Sequence, residues 1–383
     1  MRFSSRVRGV AESRTLQLSA EVARRRASGA DVVSFLEGEP DLPVPEPVLR
    51  ATADALRAGR TRYSSSSGLP ELKALIARKL REDNGVVASP DDILVTNGAK
   101  QALYEVLQAL CESGDEVIIP SPYWVTFPEA VKLAGATPVF VESRGGGLDV
   151  SAIERAVTAK TKAIILNTPN NPTGDVYSRE VLSAVVDLAA GRDLTIVSDE
   201  AYEGLVYDGG EHVSVASLGK SAAARTVTIQ TFSKSFAMTG FRVGYLTGPS
   251  DAVRAAERVH GHVTGNVCTF AQHGAVAALA LGGAHRASWR AAHQQRRDLA
   301  FELGSGLFDC AKPQGGLFLF VDARKYLGRH WKDSSSLAAH LLEKGGVAVV
   351  PGSSCGLEGF LRLSFSSPEA VLREGFARLG RAL

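Results

Sequence analysis

Seven short β-rich runs, each bounded by turn residues and alternating with segments of helical period, occupy the middle of this chain, and that alternation admits few folds. The runs are residues 93–96, 116–119, 137–141, 163–167, 195–198, 226–231 and 243–247. Strands that alternate with helices form a largely parallel sheet, and the crossover connections put helices on both of its faces. Residues 99–110 and 178–190 read as two of those helices. With 383 residues and 45% hydrophobic side chains, the chain can bury the core such a sheet needs. The expected fold class is α/β: a large domain built on a seven-stranded, mostly parallel sheet, plus a smaller α/β domain.

After Asp251 the β signal stops, and one long helical stretch is expected to run to about Leu303 as a connector. The tail has strand-like pieces at 317–321, 347–350 and 361–364, with a helix around 335–343. The segment before Pro47 is expected to pack against this tail. The expected domains are therefore 48–285, and 1–47 with 286–383. The stiff run Pro40, Pro43, Pro45, Pro47 suits a crossing between them.

Charge excludes some functions. The 43 Lys and Arg against 41 Asp and Glu leave no overall field to attract nucleic acid or an anionic membrane. The basic start (Arg2, Arg6, Arg8) is followed by no apolar run of a secretory signal, and no stretch is long and apolar enough to span a bilayer. Cys111, Cys268, Cys310 and Cys355 show no paired spacing, so neither a zinc site nor a disulfide framework is expected. A cytoplasmic protein follows as the expectation. His260, His262 and His273 lack a clustered carboxylate, and no metal site is expected. Gly219-Lys220-Ser221 resembles the end of a phosphate-binding P-loop, but Ser214 stands where that loop needs glycine. Gly145-Gly146-Gly147 fits no dinucleotide fingerprint.

Four stretches carry chemistry. Asn97-Gly98-Ala99-Lys100 joins a strand to a helix, a turn whose free N–H groups suit a phosphate, or which is an ordinary connection. Asn167-Thr168-Pro169-Asn170-Asn171-Pro172-Thr173-Gly174 is a rigid polar turn that would fix Asn171, and 171–172 is a candidate cis bond although trans is commoner. Asp199 and Tyr202 follow another strand, at the sheet end where open α/β folds bind ligands, although an acid there is often only a helix cap. In the stretch from Thr231 to Gly244, apolar Phe232, Phe236, Ala237 and Met238 surround Lys234. Desolvation would lower its amine pKa and make it a usable nucleophile, while Thr231, Ser233 and Arg242 could hold a phosphate.

Taken in order, these stretches resemble the fold-type-I pyridoxal-phosphate enzymes, and more closely the class I aminotransferases of the prokaryotic aspartate aminotransferase branch. Gly38-Glu39-Pro40-Asp41, Tyr63, Gly68 to Leu72, Pro122 to Val125, Pro351-Gly352 and Arg362-Leu363-Ser364 extend the resemblance over nearly the whole chain. It implies pyridoxal 5′-phosphate as cofactor, a Schiff base to Lys234, and a ping-pong transfer between an L-amino acid and a 2-oxo acid. Asp199 would pair with the ring nitrogen, and Asn171 and Tyr202 with the phenolic oxygen. Trp124 would stack on the ring, its plainer alternative being a core aromatic. Gly98, Ala99, Lys100, Thr231, Ser233 and Arg242 would hold the phosphate. Tyr63 would reach the partner subunit's phosphate, implying a homodimer with shared sites. Arg362 would clamp the substrate α-carboxylate through paired hydrogen bonds, beside Gly38.

One departure bears on substrate. Glu37 stands before Gly38, where relatives often have a small residue, and an anion there should repel an acidic side chain unless it points away or pairs with an arginine. Substrates with basic or neutral polar side chains therefore stay open. The alternative reaction is β-elimination, replacement or cyclisation of a substituted amino acid, basic ones included, as in capreomycidine-synthase-like enzymes. A regulatory protein of this fold is disfavoured, because the cofactor region begins too early to leave room for a DNA-binding domain.

Overall fold

The structure, a computed structural model, describes residues 1–143, 147–328 and 330–383; Gly145 and Gly146 of the discounted glycine run lie outside these. The seven expected strands form one sheet, with bounds shifted by at most two residues. From edge to edge they run Ile93–Thr96, Gly244–Thr247, Thr226–Thr231, Thr195–Asp199, Thr161–Asn167, Glu116–Ser121 and Thr137–Glu142. Gly244–Thr247 is antiparallel to both neighbours, and all other pairings are parallel.

Alternate residues of the central strands feed opposite faces of the sheet, as the pleat requires. Ala163, Ile165 and Val197 pack with Leu103, Val106, Phe127 and Val131 on one face. Ile164, Leu166 and Ile196 pack with Leu182, Val185 and Val186 on the other. Each buried Val, Leu, Ile or Phe among them stabilises the fold by about 1.5–3 kcal/mol, which makes the sheet a stiff platform. The parallel strands all end at one edge, and the turns leaving Thr96, Ser121, Asn167, Asp199 and Thr231 cluster there. The peptide bonds Ser121–Pro122, Thr168–Pro169 and Asn171–Pro172 are cis.

The single helix expected after Asp251 is three: Ser250–Val263, Thr269–Leu279 and Gly282–Ser305. Both breaks carry glycines in the left-handed region, Gly265 at φ 79° and Gly282 at φ 70°, a conformation that does not continue a helix. The tail's run at 347–350 is also divided. Val347–Ala348 pairs in parallel with Val33–Ser34, whereas Val350–Pro351 pairs antiparallel with Phe360–Ser364, which continues to Phe318–Asp322 and Asp309–Cys310.

Leu18, Val22, Val32 and Leu36 from the N-terminal segment pack against Leu342, Ala348, Val350 and Cys355 from the tail. The helix Glu369–Ala382 closes the other side through Leu372, Phe376 and Leu379. We propose the division 48–285 against 1–47 with 286–383, the helix Gly282–Ser305 running from one part into the other. Pro45 precedes the helix Glu46–Arg57 and Pro47 sits in its first turn, where a missing N–H costs nothing.

Candidate active site

A cavity of about 350 Å³ opens where the sheet's carboxyl edge meets the N-terminal segment and the tail. Of the residues expected to act, Glu37, Gly38, Ala99, Lys100, Trp124, Asn171, Asp199, Tyr202, Thr231, Ser233, Lys234, Arg242 and Arg362 all line it. Gly98 stands one residue behind its wall. Tyr63 does not line it, and at 96% exposure that ring is free of its own chain.

Lys234 belongs to the four-residue helix Phe232–Ser235, which directly continues the strand Thr226–Thr231. Its Nζ donates to the Gly38 carbonyl at 2.7 Å. The cavity reaches the side chain, so by surface it is half-buried, but it lies deep in the fold. That desolvation brings the amine down from 10.5 to about 8, opposed by the charge of Glu39 and assisted by Arg242. Between about pH 8 and 10.5 the unfolded chain holds this proton and the folded one does not, so the group adds stability as pH rises through that window. Acylation of Lys234 in cofactor-free protein is therefore expected to speed up with pH only to about 8 and then level off. A rate still climbing tenfold per unit above pH 9, as for an ordinary lysine, would contradict this environment.

Asp199 ends the strand Thr195–Asp199. Its Oδ1 accepts from the Ala201 N–H at 3.1 Å, the capping role open to any acid there. Burial raises the carboxyl to about 7, helped by neighbouring Glu200 and opposed by the Ala201 N–H and Lys234. A cationic partner at its free oxygen would reverse that cost. Asn167, across the register from Asp199, donates to the Asp199 carbonyl at 3.0 Å and accepts from the Asn171 N–H at 2.8 Å. Asn171 Oδ1 in turn accepts from Arg362 Nη1 at 3.1 Å. Tyr202 is buried, its phenol pushed up by desolvation, with its ring edge toward Phe318.

Arg362 is buried with no acidic partner among the described residues. Its guanidinium lies 4.2 Å from the Phe318 ring centre, Nη2 donates to the Leu36 carbonyl at 2.8 Å, and Nε has no partner among the described residues. A buried cation with unused donors costs free energy until an anion arrives. Gly38 is required here because a Cβ would strike the Phe318 ring.

The helix Ala99–Leu110 begins at Gly98, φ 78°, with no side chain capping its N–H groups. A Cβ on Gly98 would come 2.6 Å from Arg242 Nη2, and one on Gly244 would come 2.8 Å from the Gly98 carbonyl carbon. The Thr231 and Ser233 hydroxyls bond each other at 2.9 Å beside this turn. The result is a cradle of open N–H groups, hydroxyls and a guanidinium, the donor set of a phosphate site. These residues fit pyridoxal 5′-phosphate: the cradle for its phosphate, buried Asp199 for a ring cation, and Lys234 for its aldehyde.

Trp124 is half-buried, edge-on to Phe127, with Lys100 Nζ 5.3 Å from its ring centre. Lys100 follows the cradle, and its amine is lowered by burial and by Arg242. Among the described residues Glu37 pairs with no arginine; its carboxylate accepts from Ser34 Oγ at 2.6 Å and Ser19 Oγ at 3.2 Å. Sequence reasoning missed Asn167, Phe318 and the wall from Ser13, Thr15, Leu16 and Ser19. Asn167 was findable as the last strand residue in register with Asp199.

His260 pairs with buried Glu105 at 2.8 Å, and among the described residues no group of three His, Cys, Asp or Glu could hold a metal ion. Gly219 starts only a short helix, Lys220–Ala223. No helix of the described residues is long and apolar enough to cross a membrane.

Fold and site together define a fold-type-I pyridoxal-phosphate enzyme. The family model "Aminotransferase class I and II" matches residues 30–379. A probable aspartate/prephenate aminotransferase of Aquifex aeolicus is 41% identical, the match covering 100% of this chain and 98% of that protein. An aspartate aminotransferase of Geobacillus stearothermophilus is 39% identical over the same shares. The solved aspartate aminotransferase of Thermus thermophilus with maleate superposes with a TM-score of 0.95 at 40% identity, covering 100% of both chains. The chain belongs to the class I and II aminotransferases: it is an aminotransferase, and pyridoxal 5′-phosphate is its cofactor. The elimination or cyclisation alternative is not favoured by these relatives.

Proposed function

We propose that this aminotransferase moves an amino group from an L-amino acid to a 2-oxo acid in two half-reactions around Lys234, with a dicarboxylic acid as one substrate. The observation that carries the reading is a desolvated amine, Lys234, sharing one cavity with a buried guanidinium, Arg362, that has no acidic partner among the described residues. The bound cofactor supplies a ring that draws electrons from the substrate's α-carbon and so makes its hydrogen acidic.

Lys234 holds the cofactor between turnovers and then, as a free amine near neutrality, carries the proton leaving the α-carbon. Asp199 would hold a proton on the ring nitrogen, and a cation beside it would offset the burial that raises the carboxyl. Asn171 and Tyr202 donate to the ring oxygen, and Trp124 covers the ring face. Gly98 opens the turn, its own N–H donating to the Thr96 carbonyl at 2.7 Å, and the N–H groups of Ala99 and Lys100, the hydroxyls of Thr231 and Ser233, and Arg242 hold the phosphate. Arg362 orients the α-carboxylate, using the donors not committed to Asn171 and Leu36.

Two supports favour a dicarboxylic substrate. Relatives carry aspartate in their names, and the Thermus structure was solved with maleate, a dicarboxylate. Within the cavity, the Lys100 side chain is a cation over the Trp124 ring, with no acidic partner among the described residues. Lys100→Met is expected to raise KM for aspartate by about 10–100-fold, the worth of one charge-assisted hydrogen bond, and to affect alanine far less. Equal effects on both amino acids, measured by steady-state kinetics, would remove Lys100 from that role.

Tyr63, exposed in its own chain, supports a homodimer in which it reaches the phosphate of the second copy. Sedimentation at twice the chain mass is the expected result. The four unpaired cysteines suit a reducing cytoplasm.

A further inference from the structure

Among the described residues four cations line the cavity, Lys100, Lys234, Arg242 and Arg362, and each has a use in the reaction described. The anions are less evenly accounted for. Asp199 is committed to the cofactor ring, and Glu39 is exposed, accepts from the Thr239 hydroxyl and acts on Lys234. Glu37 has no such task. It is half-buried, and among the described residues only the Ser34 and Ser19 hydroxyls donate to its carboxylate.

Each carboxylate oxygen offers two acceptor sites, so one hydroxyl apiece leaves capacity on both. The two hydroxyls come from different elements, Ser34 from the strand Val33–Ser34 and Ser19 from the helix Arg14–Ala27, and together they fix the direction of the carboxylate. Glu37 also stands where a substrate passes. The next residue, Gly38, accepts from Lys234 Nζ, and the Glu37 charge is felt by Arg362. A substrate anchored on Arg362 with its α-carbon at Lys234 therefore has this oriented anion beside it, on the wall with Thr15, Leu16 and Ser19.

We propose that Glu37 is a specificity-determining residue that selects, as amino donor, an L-amino acid whose unbranched side chain ends in an ammonium or guanidinium group. The inference rests on the transamination reading above. The donor leaves as its 2-oxo acid, and a dicarboxylic 2-oxo acid, met by Lys100, takes up the amino group, so the exchange needs no other reactant. One cavity then serves two unlike substrates in turn, with an anion for one and a cation for the other.

The test compares ornithine and arginine with norleucine, which has a similar unbranched reach and no charge. In the wild-type holoenzyme kcat/KM should favour the cationic donors by about 10–100-fold, as one charge-assisted hydrogen bond allows. That ratio should collapse toward unity in Glu37→Ala and in Glu37→Gln, the latter keeping size and hydrogen bonding should the former fail to fold. Calorimetric binding of 5-guanidinopentanoate against hexanoate, neither of which has an α-amino group, should show the same preference and the same loss. A wild-type ratio near unity, or one that survives both substitutions, would overturn the role of Glu37. Aspartate and alanine run alongside separate the two levels: transfer from them without a cationic preference sinks only this inference, whereas no transfer from any donor sinks the transamination reading itself.

Discussion

Lys234→Ala should lower kcat for amino transfer by about 10⁴-fold, the upper end of what a positioned acid–base group contributes, while the fold stays intact. The reasoning is local. The side chain donates to the Gly38 carbonyl in the cavity, and desolvation leaves much of it uncharged near pH 8. Lys100, the other amine of this cavity, lies over Trp124 rather than at Gly38, so it offers no substitute. Rapid mixing of the variant with amino acid, read by cofactor absorbance, measures the loss. A fall of less than tenfold would mean that another group moves the proton.

The second large effect concerns Arg362. Replacement by lysine keeps the charge and removes the planar fork, so it separates attraction from geometry. Two charge-assisted hydrogen bonds are at stake, each worth about 1.5–3 kcal/mol, and part of that is recovered by the ammonium. Arg362→Lys is therefore expected to lower kcat/KM by about 10²-fold for amino acid and oxo acid alike, since both present the same α-carboxylate. The buried setting sharpens the effect: Phe318 lies against the guanidinium face, and Asn171 and Leu36 hold two of its nitrogens. A lysine cannot satisfy both acceptors and still meet a carboxylate squarely. A change below fivefold would show that charge alone binds the substrate.

Much of this was legible in the sequence because the informative residues sit where strands end. A β-rich run followed by a polar turn announces both an element and the edge it points to, which is why Gly98, Asn171, Asp199 and Lys234 stand out in the sequence. Strand existence survived well, since the runs are dominated by buried branched residues such as Ile164, Ile165, Ile196 and Val197.

Other features were hidden for identifiable reasons. The helix Glu369–Ala382 buries Leu372, Gly375, Phe376 and Leu379, a helical spacing that charged neighbours obscured. The break at Thr264–Gly265 looked like part of one helix because alanine-rich segments flank it. The wall from Ser13 to Ser19 is assembled by a tertiary contact, the packing of Leu18 and Val22 against the tail, and no local pattern announces that contact. Glu37 was visible as a departure, but its partners were not: Ser34 is three residues away and Ser19 is eighteen, and only the fold brings both hydroxyls to one carboxylate.

The most direct measurement is chemical. Holoenzyme is treated with borohydride, digested, and the peptides are weighed by mass spectrometry. The cofactor should be found fixed to the peptide carrying Lys234, and to no other lysine, Lys100 included. Cofactor on a different lysine, or released intact after reduction, would contradict the site described here.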